Sequence, residues 1–242
     1  MIINKVSGTR VDEIADGIHR ISTPVPPTVI PGGFTFNQYL VVDDLPLLYH
    51  TGPRKMFPLV QEAVASVIPV ESLRYIGFSH FEADECGALN NFLEVAPDAE
   101  PLCSQIAKMV SIDDFALRPA HPLADGEELS LGAHELRWID TPHFPHGWEC
   151  GHLFETTTRT LFCGDLFTQG GHDHQPLTTD DILHSSEEMR SNLDYFSQTR
   201  LAHELAEKLA ASSPDTLACM HGAAWRGDGA SLLRQLGVRL GV

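Results

Sequence analysis

Short apolar runs bounded by Gly, Pro and Asp break up the first half of the chain, and they are too brief to be helices. Residues 17–22, 37–42, 45–50 and 74–79 read as strands. Apolar positions recur at helical spacing over 57–68, 88–95 and 104–110. Strand patterning returns at 127–131, 135–139, 151–156 and 160–163. The last third is mainly helical, over 186–198, 201–211 and 229–236, with a short strand at 217–220 between the last two helices. No Gly/Ser or Pro linker, internal repeat or low-complexity tract interrupts the pattern. Two groups of strands, each followed by helices, predict a layered α/β sandwich with residues 1–242 in one domain.

Composition narrows the function classes. A chain of 242 residues that is 43% hydrophobic has ample core. Its formal net charge of -17 argues against a basic nucleic-acid face and against attachment to an anionic membrane. No apolar run approaches the ~18 residues of a membrane span. The first residues lack the apolar stretch of a secretory signal. Five cysteines (Cys86, Cys103, Cys150, Cys163 and Cys219), an odd number with no C-x-x-C pair, predict free thiols and a cytoplasmic protein. There is no zinc-knuckle pattern, phosphate-cradling glycine loop or dinucleotide fingerprint.

The chemistry concentrates where the apolar run 73–78 passes into the helical pattern at 88–95. There the chain reads His80-Phe81-Glu82-Ala83-Asp84-Glu85-Cys86-Gly87. Alternation in an extended segment sends His80, Glu82 and Asp84 to one side, and Glu85 can join them once the chain turns. Further candidate ligands follow other predicted strands: His143 and His146 in Thr-Pro-His-Phe-Pro-His-Gly, Asp165 in Cys-Gly-Asp, and His221 in Met-His-Gly. Each of these loops is weak alone, since His-Gly and Gly-Asp are common turn pairs. Four in one chain predict a metal centre. Three imidazoles meet four carboxylates, whose charge two divalent ions would balance. An oxygen-rich set of this kind suits iron or manganese better than zinc.

These motifs resemble the metallo-β-lactamase superfamily along nearly the whole chain, and the H-x-E-x-D form resembles its di-iron branch, the lactamase-like domain of flavodiiron proteins. His143-Phe144-Pro145 is similar to that branch's His-Trp-Pro. The resemblance implies a four-layer αβ/βα sandwich with two metal ions at one edge of the sheets. It implies His80, Glu82 and His143 on the first iron, Asp84 and His221 on the second, and Asp165 bridging. Glu85 stands where most members have His; it is a ligand, a partner of a bound water, or simply the start of a helix. His143 is preferred to His146 as ligand, which leaves His146 at the pocket rim. His50 stands where the superfamily usually has Asp, a departure that makes ordinary lactamase chemistry less expected. Tyr39 is expected in the core and the 170–175 loop as a solvated turn. Cys86 and Cys163 are expected to be buried rather than redox-active.

The expected function is a non-haem di-iron protein that binds, senses or reduces dioxygen or nitric oxide. Its electrons would come from a separate donor or signalling partner, because no residues remain for a flavin domain and no FMN is expected in the isolated chain. The resemblance also implies a homodimer. The rival reading is a metal-dependent (zinc) hydrolase of thioesters, lactones or phosphoesters, because one fold hosts both chemistries.

Overall fold

The computed structural model describes residues 1–198 and 200–241; the expected domain 1–242 therefore ends on a residue outside the described ones. The first sheet has seven strands in sequential order: β1 (Arg10–Ala15), β2 (Ile18–Val25), β3 (Phe34–Val41), β4 (Leu47–Tyr49), β5 (Tyr75–Gly77), β6 (Glu100–Ser104) and β7 (His121–Leu123). Strands β1 to β4 pair antiparallel, and β4 to β7 pair parallel. The crossovers carry α1 (Phe57–Ala65), then α2 (Ala83–Cys86) and α3 (Leu89–Val95). After β6, α4 (Gln105–Ala107), a π-turn at Lys108–Ile112 and α5 (Asp113–Phe115) lead to β7.

The second half repeats this plan. Strands β8 (Glu128–Ser130), β9 (Glu135–Asp140), β10 (Gly151–Glu155), β11 (Thr160–Gly164), β12 (Leu177–Thr178), β13 (Thr216–Cys219) and β14 (Ala224–Arg226) form a second sheet, ordered β12-β14-β13-β11-β10-β9-β8. Strands β8 to β11 are antiparallel neighbours, and β13 joins β11 in parallel. Helices α6 (Ile182–Asn192), α7 (Ala202–Ala210) and α8 (Gly229–Leu240) cover this sheet.

Strand alternation sorts the apolar side chains into three layers. Leu40, Leu48 and Ile76 face Val60, Val64, Phe92 and Leu93 of α1 and α3. Leu161, Cys163, Leu217 and Cys219 face Leu209, Leu233 and Leu236 of α7 and α8. Tyr39, Val41 and Tyr49 of the first sheet meet Trp138, Leu153, Phe162 and Ala218 of the second. The ring of Phe162 lies 5.0 Å from Tyr49 and 5.7 Å from Tyr39. The result is a four-layer αβ/βα sandwich: the strand and helix groups predicted the layering, and the family resemblance implied the four layers.

Several boundaries differ from expectation. Strands β1, β6, β7, β12 and β14 are not legible in the sequence: β6 contains Glu and Pro, and the last two are pieces of two and three residues at one end of the second sheet that need neighbours to define them. The expected helix 104–110 is split by the π-turn. Helix α6 begins at Ile182, before the expected 186, because the Asp181 carboxylate accepts from the backbone N–H groups of Leu183 and His184. It ends at Asn192, short of the expected 198. All five cysteines are buried and free. Among the described residues no helix is long and apolar enough to cross a membrane.

Candidate metal centre

Four loops leave the ends of β5, β9, β11 and β13 at the same edge of the sandwich, and backbone bonds lock them together. Gly151 N–H donates to Ser79 O at 3.0 Å, Asn37 N–H to Met220 O at 2.9 Å, and Met220 N–H to Gly164 O at 3.1 Å. Thr51 N–H donates to Glu85 O at 2.8 Å, which fastens the start of α2 to the end of β4. The fold thus brings His80, Asp165 and His221 together from separate strand ends.

The carboxylate of Asp165 stands in the middle. Its Oδ2 lies 3.6 Å from His80 Nε2 and 3.4 Å from His146 Nε2, and its Oδ1 lies 3.1 Å from His221 Nε2. On one side, Glu82 Oε2 is 3.2 Å from His80 Nε2 and 2.8 Å from His146 Nε2. On the other, Asp84 Oδ2 is 3.4 Å from His221 Nε2. His80, Glu82, His146 and Asp165 each offer one ligand atom, all within 4.8 Å of one another, and so do Glu82, Asp84 and Glu85. A carboxylate whose two oxygens face separate donor groups fits a pair of ions.

The loop after β9 departs from expectation. It delivers His146, not His143, to the cluster. Phe144 is fully buried against Phe196 and anchors the loop in the core. His143 adopts a left-handed backbone (φ 66°) with its N–H bonded to Gly147 O. No hydrogen bond or ion pair ties its ring to the cluster among the described residues. The chain then turns and carries His146 over Glu82, where its ring packs 4.4 Å from that of His80. Two histidines three residues apart in an irregular loop have no periodicity to rank them, so the sequence carried no signal for this choice.

The imidazoles are oriented from behind. His146 Nδ1 donates to Tyr195 O at 2.8 Å and His221 Nδ1 to Thr35 O at 2.7 Å, which points each Nε2 inward, where it offers a lone pair once its proton is displaced. His80 Nδ1 lies 3.0 Å from Ser79 Oγ. Phe34 stacks on His221 with centroids 4.3 Å apart. It also lines a cavity of about 400 Å³ with Ile30, Gly170, Met189 and Asn192. Neither Phe34 nor the Tyr195 carbonyl was foreseeable, because backbone acceptors leave no mark in the sequence. Tyr39 is core, as expected, and donates to Cys219 O at 2.6 Å. In the 170–175 loop His174 is bonded to Gly170 O within its own turn.

Electrostatics mark the site as built around missing positive charge. Hydrogen bonds from His146 and His80 hold the Glu82 carboxyl down at about 2. Burial works against an ionised Asp165, but the His221 bond and the surrounding imidazoles hold it well below the usual carboxylate range. Burial also works against a charged His221, yet Asp165 and Asp84 raise it to about 10. Glu85 is fully buried, and neither of its oxygens has a hydrogen-bond partner. Burial first, then Asp165 and Asp84, push it well above the ordinary range. The two buried orphan acceptors of Glu85, set beside Asp165 and three inward Nε2 atoms, are what metal ions would satisfy. The residues present therefore fit a metal pair.

Known proteins resemble this chain in sequence and in fold. A nitric oxide reductase of Moorella thermoacetica is 27% identical over 214 residues, covering 81% of this chain and 51% of that protein. The structure of rubredoxin oxygen:oxidoreductase from Desulfovibrio gigas superposes with a TM-score of 0.81 at 23% identity, covering 95% of this chain and 61% of that one. The flavodiiron protein from Giardia intestinalis superposes with a TM-score of 0.77 at 17% identity, over 96% and 59%. The chain spans between about a quarter and a half of the curated relatives it matches. Its fold is the metallo-β-lactamase-like core found in flavodiiron proteins. The family model described as ODP family beta lactamase matches residues 34–222, and the chain belongs to that family.

Proposed function

We propose that this chain is a non-haem di-iron protein that binds, senses or reduces dioxygen or nitric oxide. The observation that carries the reading is the Asp165 carboxylate, whose two oxygens face separate donor groups in a site that also holds Glu82, Asp84 and Glu85. The proposed ligands are His80, Glu82 and His146 on one ion and Asp84 and His221 on the other, with Asp165 between them and Glu85 beside the pair. A pair of reduced iron ions supplies a diatomic molecule with a binding position and electrons. The relatives named for nitric oxide reduction and for rubredoxin–oxygen reduction support this chemistry.

The chain's own residues hold and orient. Tyr195 O and Thr35 O fix the tautomers of His146 and His221. Phe34 covers the His221 ring and keeps water from that side. Glu82, half-exposed, sits at the mouth, whereas Glu85 is sealed and keeps its proton to a higher pH than a free carboxyl does. Electrons would come from a separate donor, and residues 1–242 would act as one lactamase-like domain.

The test is metal analysis followed by rapid mixing of the anaerobic ferrous protein with oxygenated or nitric-oxide buffer under absorbance detection. A thioester panel is run on the zinc-loaded protein in parallel. Two irons per chain and a fast spectral change are expected. No spectral change, together with fast zinc-dependent thioester cleavage, would replace this reading with a hydrolase.

A further inference from the structure

The three inward-facing histidines are not supported alike. His146 and His221 give their Nδ1 protons to backbone carbonyls, where the hydrogen bonding ends. His80 Nδ1 instead lies 3.0 Å from the hydroxyl of Ser79, and a hydroxyl has a proton of its own to place. The other partner of Ser79 Oγ among the described residues is His50 Nε2, at 3.2 Å.

The direction of this chain of bonds follows from one further contact. The backbone N–H of Ser79 also points at His50 Nε2, at 3.3 Å. A backbone N–H can only donate, so Nε2 presents a lone pair and the His50 proton sits on Nδ1. His50 is therefore a neutral acceptor, and its Nδ1 is buried without a hydrogen-bond partner. With a metal ion on His80 Nε2 the His80 proton would sit on Nδ1, and the donors would then run His80 Nδ1–H to Ser79 Oγ–H to His50 Nε2.

The fold holds this arrangement at some cost. His50 adopts a left-handed backbone, φ 64°, which a non-glycine residue keeps only where its surroundings demand it. Its N–H is tied to Gly77 O, and the next N–H, of Thr51, to Glu85 O. Gly164 leaves the space for the hydroxyl: a Cβ there would meet Ser79 Oγ at 2.8 Å.

We propose that Ser79 and His50 are positioning residues behind His80, and that the neutral His50 imidazole, acting through the Ser79 hydroxyl, sets how strongly His80 donates to a bound metal ion. A carboxylate at the same place would draw the relayed proton toward itself and make His80 a stronger donor. A neutral acceptor leaves the proton with His80 and the metal less electron-rich. The inference rests on the metal-centre reading above.

Asn and Asp both tolerate a left-handed backbone and have nearly the same shape. His50→Asn keeps a neutral acceptor, and His50→Asp supplies a charged one. Cobalt(II) affinity is measured by chelator competition for the full chain and for both variants, each also in the Ser79→Ala background. The expected result is about tenfold tighter binding for His50→Asp than for His50→Asn, with the ratio falling toward one when Ser79 is Ala. Equal affinities would overturn the relay, and so would a ratio of the same size in both backgrounds, which would indicate through-space attraction alone. Either result leaves cobalt binding by the unsubstituted chain intact, whereas absent binding there would remove the metal-centre reading and the relay together. A readout that needs no variant is the nitrogen-15 spectrum of the histidines in the metal-free chain. A neutral His50 protonated on Nδ1 is expected, and a proton on Nε2 would overturn the assignment.

Discussion

Metal binding should expel protons, and the structure says from where. In the metal-free chain His221 is raised to about 10 by Asp165 and Asp84, so it is protonated at neutral pH despite its burial. Glu85, raised well above 4.5 by burial and its carboxylate neighbours, keeps its proton to a higher pH than a free carboxyl does. A cation among these groups must displace the His221 proton, and that of Glu85 where it is still held. The logarithm of the affinity should then rise by about one per pH unit from His221, about 10²-fold between pH 6 and pH 8, and more steeply wherever Glu85 still holds its proton. His146, raised by Glu82 and Asp165 against its burial, adds to the slope at the acid end. Glu85→Gln removes the second of these protons and should leave the slope of about one from His221, roughly 10²-fold over the same range. The assay is cobalt(II) competition against a chelator of known protonation at several pH values, with calorimetry in buffers of different ionisation heat to count the protons. A slope well below one in the unsubstituted chain, or one unchanged at acid pH by Glu85→Gln, would refute the assignment of these protons. Stability carries the matching sign. The folded metal-free chain retains protons that the unfolded chain has released, so the Glu85 contribution falls as pH rises above about 4.5 and that of His221 is lost between about 6.5 and 10. The chelator-treated protein should melt at a lower temperature at pH 8 than at pH 6.

Three further outcomes are expected. His146→Ala should strip metal from the protein and His143→Ala should not; equal metal content in both, by elemental analysis, would contradict the loop geometry. Phe162→Ala, which empties a fully buried position between Tyr39 and Tyr49, should cost about 3 to 5 kcal/mol in denaturant unfolding, and a loss below about 1 kcal/mol would show that the two sheets collapse onto the gap. Asp43 resists ionisation through burial, but accepts from the N–H groups of Ala133, His134 and Asp44 and lies 2.8 Å from His134 Nδ1, and is held at about 2. Asp43→Asn should therefore destabilise by about 1 to 2 kcal/mol at neutral pH. That contribution is complete above about pH 4 and lost toward pH 2, so the two unfolding curves should converge over this interval.

The sequence by itself determined the ingredients. The alternation in 37–42 and 45–50 separates Leu40 and Leu48 from Tyr39 and Tyr49, and the two pairs lie in different core layers. The H-x-E-x-D spacing marks His80, Glu82 and Asp84 as neighbouring candidates, although Asp84 reaches the cluster from the first turn of α2 rather than by strand alternation. Asp165 and His221 were legible because each follows a regular strand. Tertiary structure decided what no local rule reaches. It chose His146 over His143, because the burial of Phe144 fixes how an irregular loop turns. It placed Glu85 in a sealed position, where burial and Asp165 change the state of a residue that local chemistry reads as an ordinary helix start. It also joined His50 to His80 through Ser79, across 30 residues of chain, by setting β4 beside β5. Periodicity reports which face a side chain occupies, whereas distance between strand ends, burial and hydrogen-bond direction exist only once the sheets have packed.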